Sequence, residues 1–284
     1  MTGGGESLPN MLPVVLVPVG TDDMALDACL AALDAATPPA TRVWLVDDAQ
    51  AGPRGVDIVQ RWLQRTPLQA DYTRRPHAAG EVAHLDEALR ACGDADVAVL
   101  AGDALPAPGW LTQLAACFAR DASIASATPW CNTGESAGWP RVDPQPPPQE
   151  LAALSRAAAA LPPTHPELPA AVEHAVLLRG SARVKAGGLD TASYASWYAA
   201  LTDLSLRLSG LGWRNALCET AFVARLHEGA PGEGDMDALA VRWPDWHARI
   251  AGFLMDDPLR PLRDELGRRL QAQDADGPQR KLFA

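Results

Sequence analysis

The chain has 284 residues, 48% of them hydrophobic and 21% charged, with a formal net charge of −11. That length suits one large domain or two small ones with a real core, and the acidic balance leaves no broad basic face for nucleic acid. The opening MTGGGESLPN lacks the basic and apolar regions of a signal peptide, no apolar run reaches the roughly 20 residues of a membrane span, and the five cysteines form no CxxC pair, so a soluble cytoplasmic protein with free buried thiols is expected.

LPVVLVPVG (12–20) is a short β-branched run ended by a turn, which predicts a buried strand. Thr21 or Asp22 caps the helix that follows, with Leu26, Cys29, Leu30 and Leu33 at helical spacing and Pro38-Pro39 as its stop. RVWLVDD (42–48) predicts a second buried strand ending in paired acids. A helix over 56–65, a short strand over 68–73 and a helix over 81–92 come next. The apolar run Val97 to Leu100 predicts a buried strand that ends in Ala101-Gly102-Asp103 and a proline-rich turn. A helix over 110–120 and a strand over 123–129 follow. Strands alternating with helices at this spacing imply βαβ units and a mainly parallel sheet covered on both faces. Ligands of such sheets bind beyond the carboxyl ends of the strands. Asp47, Asp48 and Asp103 sit at that edge; the competing reading of Asp103 is an acid that caps the next turn.

The segment 138–168 is proline-rich, with an alanine-rich helix over 150–161, and reads as an insertion or lid within the domain. A strand, a short helix and a Gly-Gly turn over 174–190 resume the pattern. An amphipathic helix over 196–214 carries Leu201, Leu204, Leu208 and Leu211. A strand and loop over 215–229 and two helices over 242–271, divided at Pro258, complete the chain. The domain plan is a flexible N-terminus over 1–11, a single α/β domain over 12–235 and a C-terminal helical extension over 236–284. The apolar positions of that extension suit packing on the domain or a homodimer, and Arg260, Arg263, Arg268 and Arg269 suit either a solvated face or an anionic membrane surface.

In order and spacing these motifs resemble the family 2 glycosyltransferases of GT-A fold. The likeness rests on Pro18-Val19-Gly20 after the first strand, Val46-Asp47-Asp48 after the second, GEVAHLD from Gly80 to Asp86, and Ala101-Gly102-Asp103 with Pro106-Ala107-Pro108-Gly109-Trp110. GGLD (187–190), TDLSLRLSGLGWR (202–214) and His227-Glu228-Gly229 extend it, so that it covers about 12–229. The resemblance implies a GT-A-like single domain with a mainly parallel central sheet, helices on both faces and C-terminal helices. It implies inverting transfer of a sugar from a UDP-, dTDP- or GDP-sugar to a glycan or other hydroxyl acceptor, in surface polysaccharide or glycan assembly. It implies Mg²⁺ or Mn²⁺ at Asp103 and His227, and nucleotide contacts from Pro18, Gly20, Asp47, Asp48, Arg75, Asp86 and Gly102. Trp139 and Trp197 are the candidate acceptor contacts, since aromatic faces stack on sugar rings. Cytoplasmic placement, with room for attachment to the inner face of a membrane, goes with the same resemblance.

Two positions depart from the family pattern. Ala101 replaces the first acid of the D-x-D motif, which leaves Asp103 to hold a cation with phosphates, water and His227. The acidic pair that precedes Asp203 in the family falls on Ala200 and Leu201, which take no proton. Asp203 is therefore the expected general base, with Glu173, His174 and Asp190 behind it. The alternative is a catalytically inactive GT-A-like domain that binds nucleotide sugar or glycan, or supports a partner enzyme. A nicotinamide-dependent Rossmann enzyme and a P-loop NTPase are set aside, because neither glycine motif is present.

Overall fold

The computed structural model describes residues 12–140 and 151–275. The N-terminal segment 1–11, residues 141–150 of the proline-rich segment and the last stretch 276–284 lie outside the described residues. In chain order the first half comprises β1 (Val14–Pro18), α1 (Asp23–Ala36), β2 (Arg42–Asp47), α2 (Pro53–Leu63), β3 (Gln69–Arg74), α3 (Glu81–Ala91), β4 (Val97–Leu100), β5 (Ala104–Pro106) and α4 (Trp110–Arg120). The second half comprises β6 (Ile124–Trp130), α5 (Leu151–Ala159), β7 (Ala175–Leu178), α6 (Gly180–Lys185), α7 (Trp197–Gly210), β8 (Arg214–Arg225), α8 (Asp235–Arg242), α9 (Trp246–Asp256) and α10 (Arg260–Ala275).

One eight-stranded sheet runs in the order β3-β2-β1-β4-β7-β6-β8-β5. The pairs β3–β2, β2–β1, β1–β4 and β6–β8 are parallel. β7 is inverted between β4 and β6, and β5 pairs antiparallel with β8. The expected α/β plan with helices on both faces is therefore present, with three antiparallel pairings inside it. β1 and β4 are buried on both faces, which is why they read as continuous apolar runs. Side chains of β1, β2 and β4 pack on one face with α1, α2 and α4, around Leu30, Leu45, Trp62 and Trp110. On the other face they pack with α3 and α7, around Leu16, Leu85, Val99 and Leu204.

Two elements were hidden in the sequence. The proline-rich turn after Asp103 contains strand β5, which sits at the sheet edge where Pro106 removes no interior ladder bond. Helix α8 precedes the two expected C-terminal helices; it is short and half polar, so its periodicity is weak. The described parts of 138–168 are packed. Leu154, Ala157 and Leu161 of the α5 region meet Phe222 of β8 and Leu259 and Leu266 near α10. Four arginines of the extension are paired locally: Arg260 and Arg263 with Asp257, Arg268 and Arg269 with Glu265. All five cysteines are free. No helix among the described residues is long and apolar enough to cross a membrane.

Candidate active site

The carboxyl ends of β1, β2 and β4 open onto a cleft of about 600 Å³. Pro18, Gly20, Asp48, Gly102, Asp103, Trp197 and His227 all line it, so the chain ends of the first sheet half and the loop after β8 converge on one site. Gly102 is required by a close approach: a Cβ there would lie 2.6 Å from the carbonyl oxygen of Pro18. The middle residue of the D-x-D-like motif therefore lets β4 pass the end of β1. Asp48 closes the cleft floor by accepting from the backbone N–H groups of Ala79 and Gly80, both at 2.8 Å. Asp22 caps α1 by accepting from Met24 and Ala25 N–H at 3.0 Å, and its carboxylate lies 3.9 Å from His227 Nε2.

Asp103 is held from across the sheet. Arg225 Nε, at the end of β8, donates to its two oxygens at 3.0 and 3.1 Å. Arg225 Nη1 donates to Glu173 Oε1 at 2.6 Å. Burial works against the guanidinium charge, and the Asp103 and Glu173 carboxylates more than offset it, holding Arg225 above its ordinary pKa. His227 is exposed, with Nδ1 3.6 Å from Asp103 Oδ2, and its backbone N–H donates to the same oxygen at 3.2 Å. Among the described residues no three His, Cys, Asp or Glu side chains converge as a complete metal site.

Two residues of the cleft lining carry buried polar atoms that no protein group satisfies. His84, 8% exposed, has neither ring nitrogen hydrogen-bonded, and the Trp197 indole N–H, on a side chain 4% exposed, has no acceptor. Buried polar groups are normally paired, so these two residues stand out in the cleft lining. Burial holds the His84 pKa below the usual histidine value, which keeps a neutral acceptor and a donor on one ring. His84 gave no sequence signal, because it lies among the apolar positions of α3 and reads as a core histidine.

Several predicted site residues lie elsewhere. Asp47 is fully buried: it accepts from Gln50 and Ala51 N–H and from the Tyr72 hydroxyl at 2.6 Å, and Arg74 lies at 3.2 Å. Burial, then Asp47, pushes Tyr72 up to about 12. Asp86 pairs with Arg90 and accepts from Leu189 N–H at 2.8 Å, so it fastens α3 to the Gly187-Gly188 turn. Arg75 pairs with Glu87 and stands 3.7 Å from Asp48, behind the cleft wall. Trp139 packs beneath α10 and donates to the Arg263 carbonyl at 3.1 Å, away from the cleft lining. Asp203 is also fully buried. It is engaged by Arg207 at 2.8 Å, Trp243 at 2.9 Å, Arg242 at 3.1 Å and Tyr194 at 3.4 Å, and it does not border the cleft.

A sheet of this order with a cleft over the ends of β1, β2 and β4 is the GT-A fold. The model for glycosyl transferase family 2 matches residues 15–165, more than half of the chain, and the chain belongs to that family. Solved structures that share the fold include the following. A mannosyltransferase, PcManGT, from Pyrobaculum calidifontis, in complex with GDP-Man and Mn²⁺, is 18% identical with a TM-score of 0.56, over 93% of this chain and 75% of that one. GalNAc-T7 with UDP, GalNAc and Mn²⁺ is 12% identical with a TM-score of 0.63, over 92% and 55%. S. aureus TarS with UDP-GlcNAc is 14% identical with a TM-score of 0.55, over 78% and 60%. This chain thus spans three quarters of the first and between half and two thirds of the other two. The comparison with curated protein sequences gave no match.

Proposed function

We propose that the chain is an inverting glycosyltransferase that moves a sugar from a UDP-, dTDP- or GDP-sugar to a glycan or other hydroxyl acceptor. Surface polysaccharide or glycan assembly at the cytoplasmic side is the setting this reading gives it. The observation that carries it is the cleft at the strand ends, which Asp103 and His227 line together with Gly20, Asp48 and Gly102. Structures of the same fold contain GDP-Man, UDP and UDP-GlcNAc, which supports a nucleotide-sugar donor here.

The charge of the wall supports a divalent cation as well. Asp22, Asp48, Glu81, Asp103 and Glu173 line the cleft against a single guanidinium, Arg225. A diphosphate adds further negative charge, so it needs a counter-charge the wall does not supply. Asp103 and His227 are the residues that would hold Mg²⁺ or Mn²⁺, with phosphate oxygens completing the donor set. A carboxylate has about four lone-pair sites, so the Arg225 contacts leave Asp103 free to take part. Bound there, the cation would neutralise charge developing on the leaving diphosphate.

A second reading is an inactive domain that binds the donor or supports a partner enzyme. Ala200 and Leu201, at the family's acidic positions, are buried in the α7 core and favour it. Calorimetric titration with UDP, dTDP and GDP, with and without Mn²⁺, tests the donor site. The expected result is Mn²⁺-dependent binding of one nucleotide that falls at least tenfold in Asp103→Ala. Absence of binding by all three refutes the donor site.

A further inference from the structure

Inverting transfer needs a carboxylate on the acceptor side of the donor, opposite the leaving group. The cleft adjoins a second cavity of about 350 Å³, bounded by the loop before β7, α7 and the loop after β8. Glu173, Tyr198, Arg225 and Gly229 form the wall common to both. Among the described residues, Glu173 is the one acid that borders both spaces.

The position of that carboxylate is fixed on several sides. Arg225 holds Oε1 at 2.6 Å. The Arg225 backbone is itself clamped by Asn132, whose side chain accepts from its N–H at 2.7 Å and donates to its carbonyl at 3.0 Å. Gly229 completes the support by omission, because a Cβ there would collide with Glu173 Oε1. A charged side chain so held at the meeting of two cavities is pre-organised for chemistry between molecules occupying them.

The other acids and bases fit the role less well. Asp203 is spent on four internal partners. Asp190 is oriented by the N–H groups of Ala192 and Ser193 and by Arg242. Glu81 borders the donor cleft alone and accepts from Trp197 N–H at 3.0 Å, joining α3 to α7. His174 is enclosed beside β7, where burial and then Arg225 depress its pKa to about 3 and leave the imidazole a feeble base.

We propose that Glu173 is the general base of the transfer, with Arg225 its positioning residue, and that the acceptor enters from the second cavity. This inference rests on the transferase reading above. The acceptor hydroxyl gives its proton to a Glu173 oxygen as its own electron pair bonds to the anomeric carbon. The bond from that carbon to the diphosphate oxygen breaks, and its electron pair leaves with the nucleoside diphosphate. A base on the loop before β7 thus replaces the acidic pair lost from α7.

The test is release of nucleoside diphosphate from UDP-glucose, UDP-GlcNAc, GDP-mannose and dTDP-glucose, with Mn²⁺ and octyl glucoside or octyl galactoside as acceptor. Glu173→Gln keeps the shape and a hydrogen bond to Arg225 but accepts no proton. Its kcat is expected to fall at least 100-fold, with the donor KM and the nucleotide affinity close to wild type. Glu173→Asp, which withdraws the charge by one methylene, should fall between the two. Turnover by Glu173→Gln within threefold of wild type overturns the assignment and leaves the transferase reading standing. A parallel loss of nucleotide affinity also overturns it, since that marks a structural role. A wild-type protein that binds nucleotide yet turns over no donor refutes the transferase reading, and the base with it.

Discussion

His174 links the stability of this protein to pH through its burial. Its side chain is enclosed where the loop enters β7, and its carbonyl accepts from Ala101 N–H at 3.0 Å, tying β7 to the end of β4. Burial, and after it the charge of Arg225, lowers its pKa from 6.5 to about 3. Below pH 6.5 the unfolded chain takes up a proton at this residue, whereas the folded chain takes none until about pH 3. Acidification therefore favours unfolding by about 1.4 kcal/mol per pH unit across that window. Between pH 6.5 and 5 the loss from this one residue is about 2 kcal/mol. The slope is half its full value at pH 6.5 and fades over about one pH unit above it. Urea unfolding of the wild type and His174→Leu at several pH values measures the effect. The gap between the two proteins should shift in favour of the leucine variant by about 2 kcal/mol from pH 6.5 to 5. A gap constant to within about 0.5 kcal/mol would refute the argument, because it would mean that folding does not hinder protonation of His174.

Two further predictions follow from close approaches. Gly102→Ala places a Cβ 2.6 Å from the Pro18 carbonyl, so it should cost about 1–3 kcal/mol in urea unfolding and weaken nucleotide binding; an unchanged midpoint would contradict the packing described. Asp203→Asn removes the buried counter-charge of Arg207 and one of the two carboxylates that engage Arg242 and should destabilise by about 3 kcal/mol. A variant that melts like the wild type but has lost turnover would instead return Asp203 to the chemistry.

The contrast between Asp203 and Glu173 shows what a motif position does and does not convey. The motif position points to Asp203 as the base because it is the acid nearest the expected position on its helix. Distance along a helix says nothing of which face meets the cleft, and α7 turns Asp203 toward Arg207, Arg242 and Trp243. Asp47 and Asp48 are neighbours in one motif, yet Asp47 is the last residue of β2 and Asp48 lies beyond it in the turn. Asp47 faces Tyr72 and Arg74, and Asp48 faces the cleft.

The sequence by itself determined most of the elements, though not β5 or α8, and the class of fold. Continuous apolar runs specify β1 and β4, helical spacing specifies α1, α3 and α7, and proline and glycine punctuate them, all through interactions within a few residues. It also determined the site's general address, because strand ends in a parallel sheet are where ligands bind. Only the tertiary structure decided which side chains meet there. Asp103 and Arg225 are 122 residues apart in the chain and share two hydrogen bonds. β5 is a strand only because β8 offers it a ladder. Such pairings are set by how the sheet closes and which faces are buried, and those are properties of the whole chain that no local pattern carries.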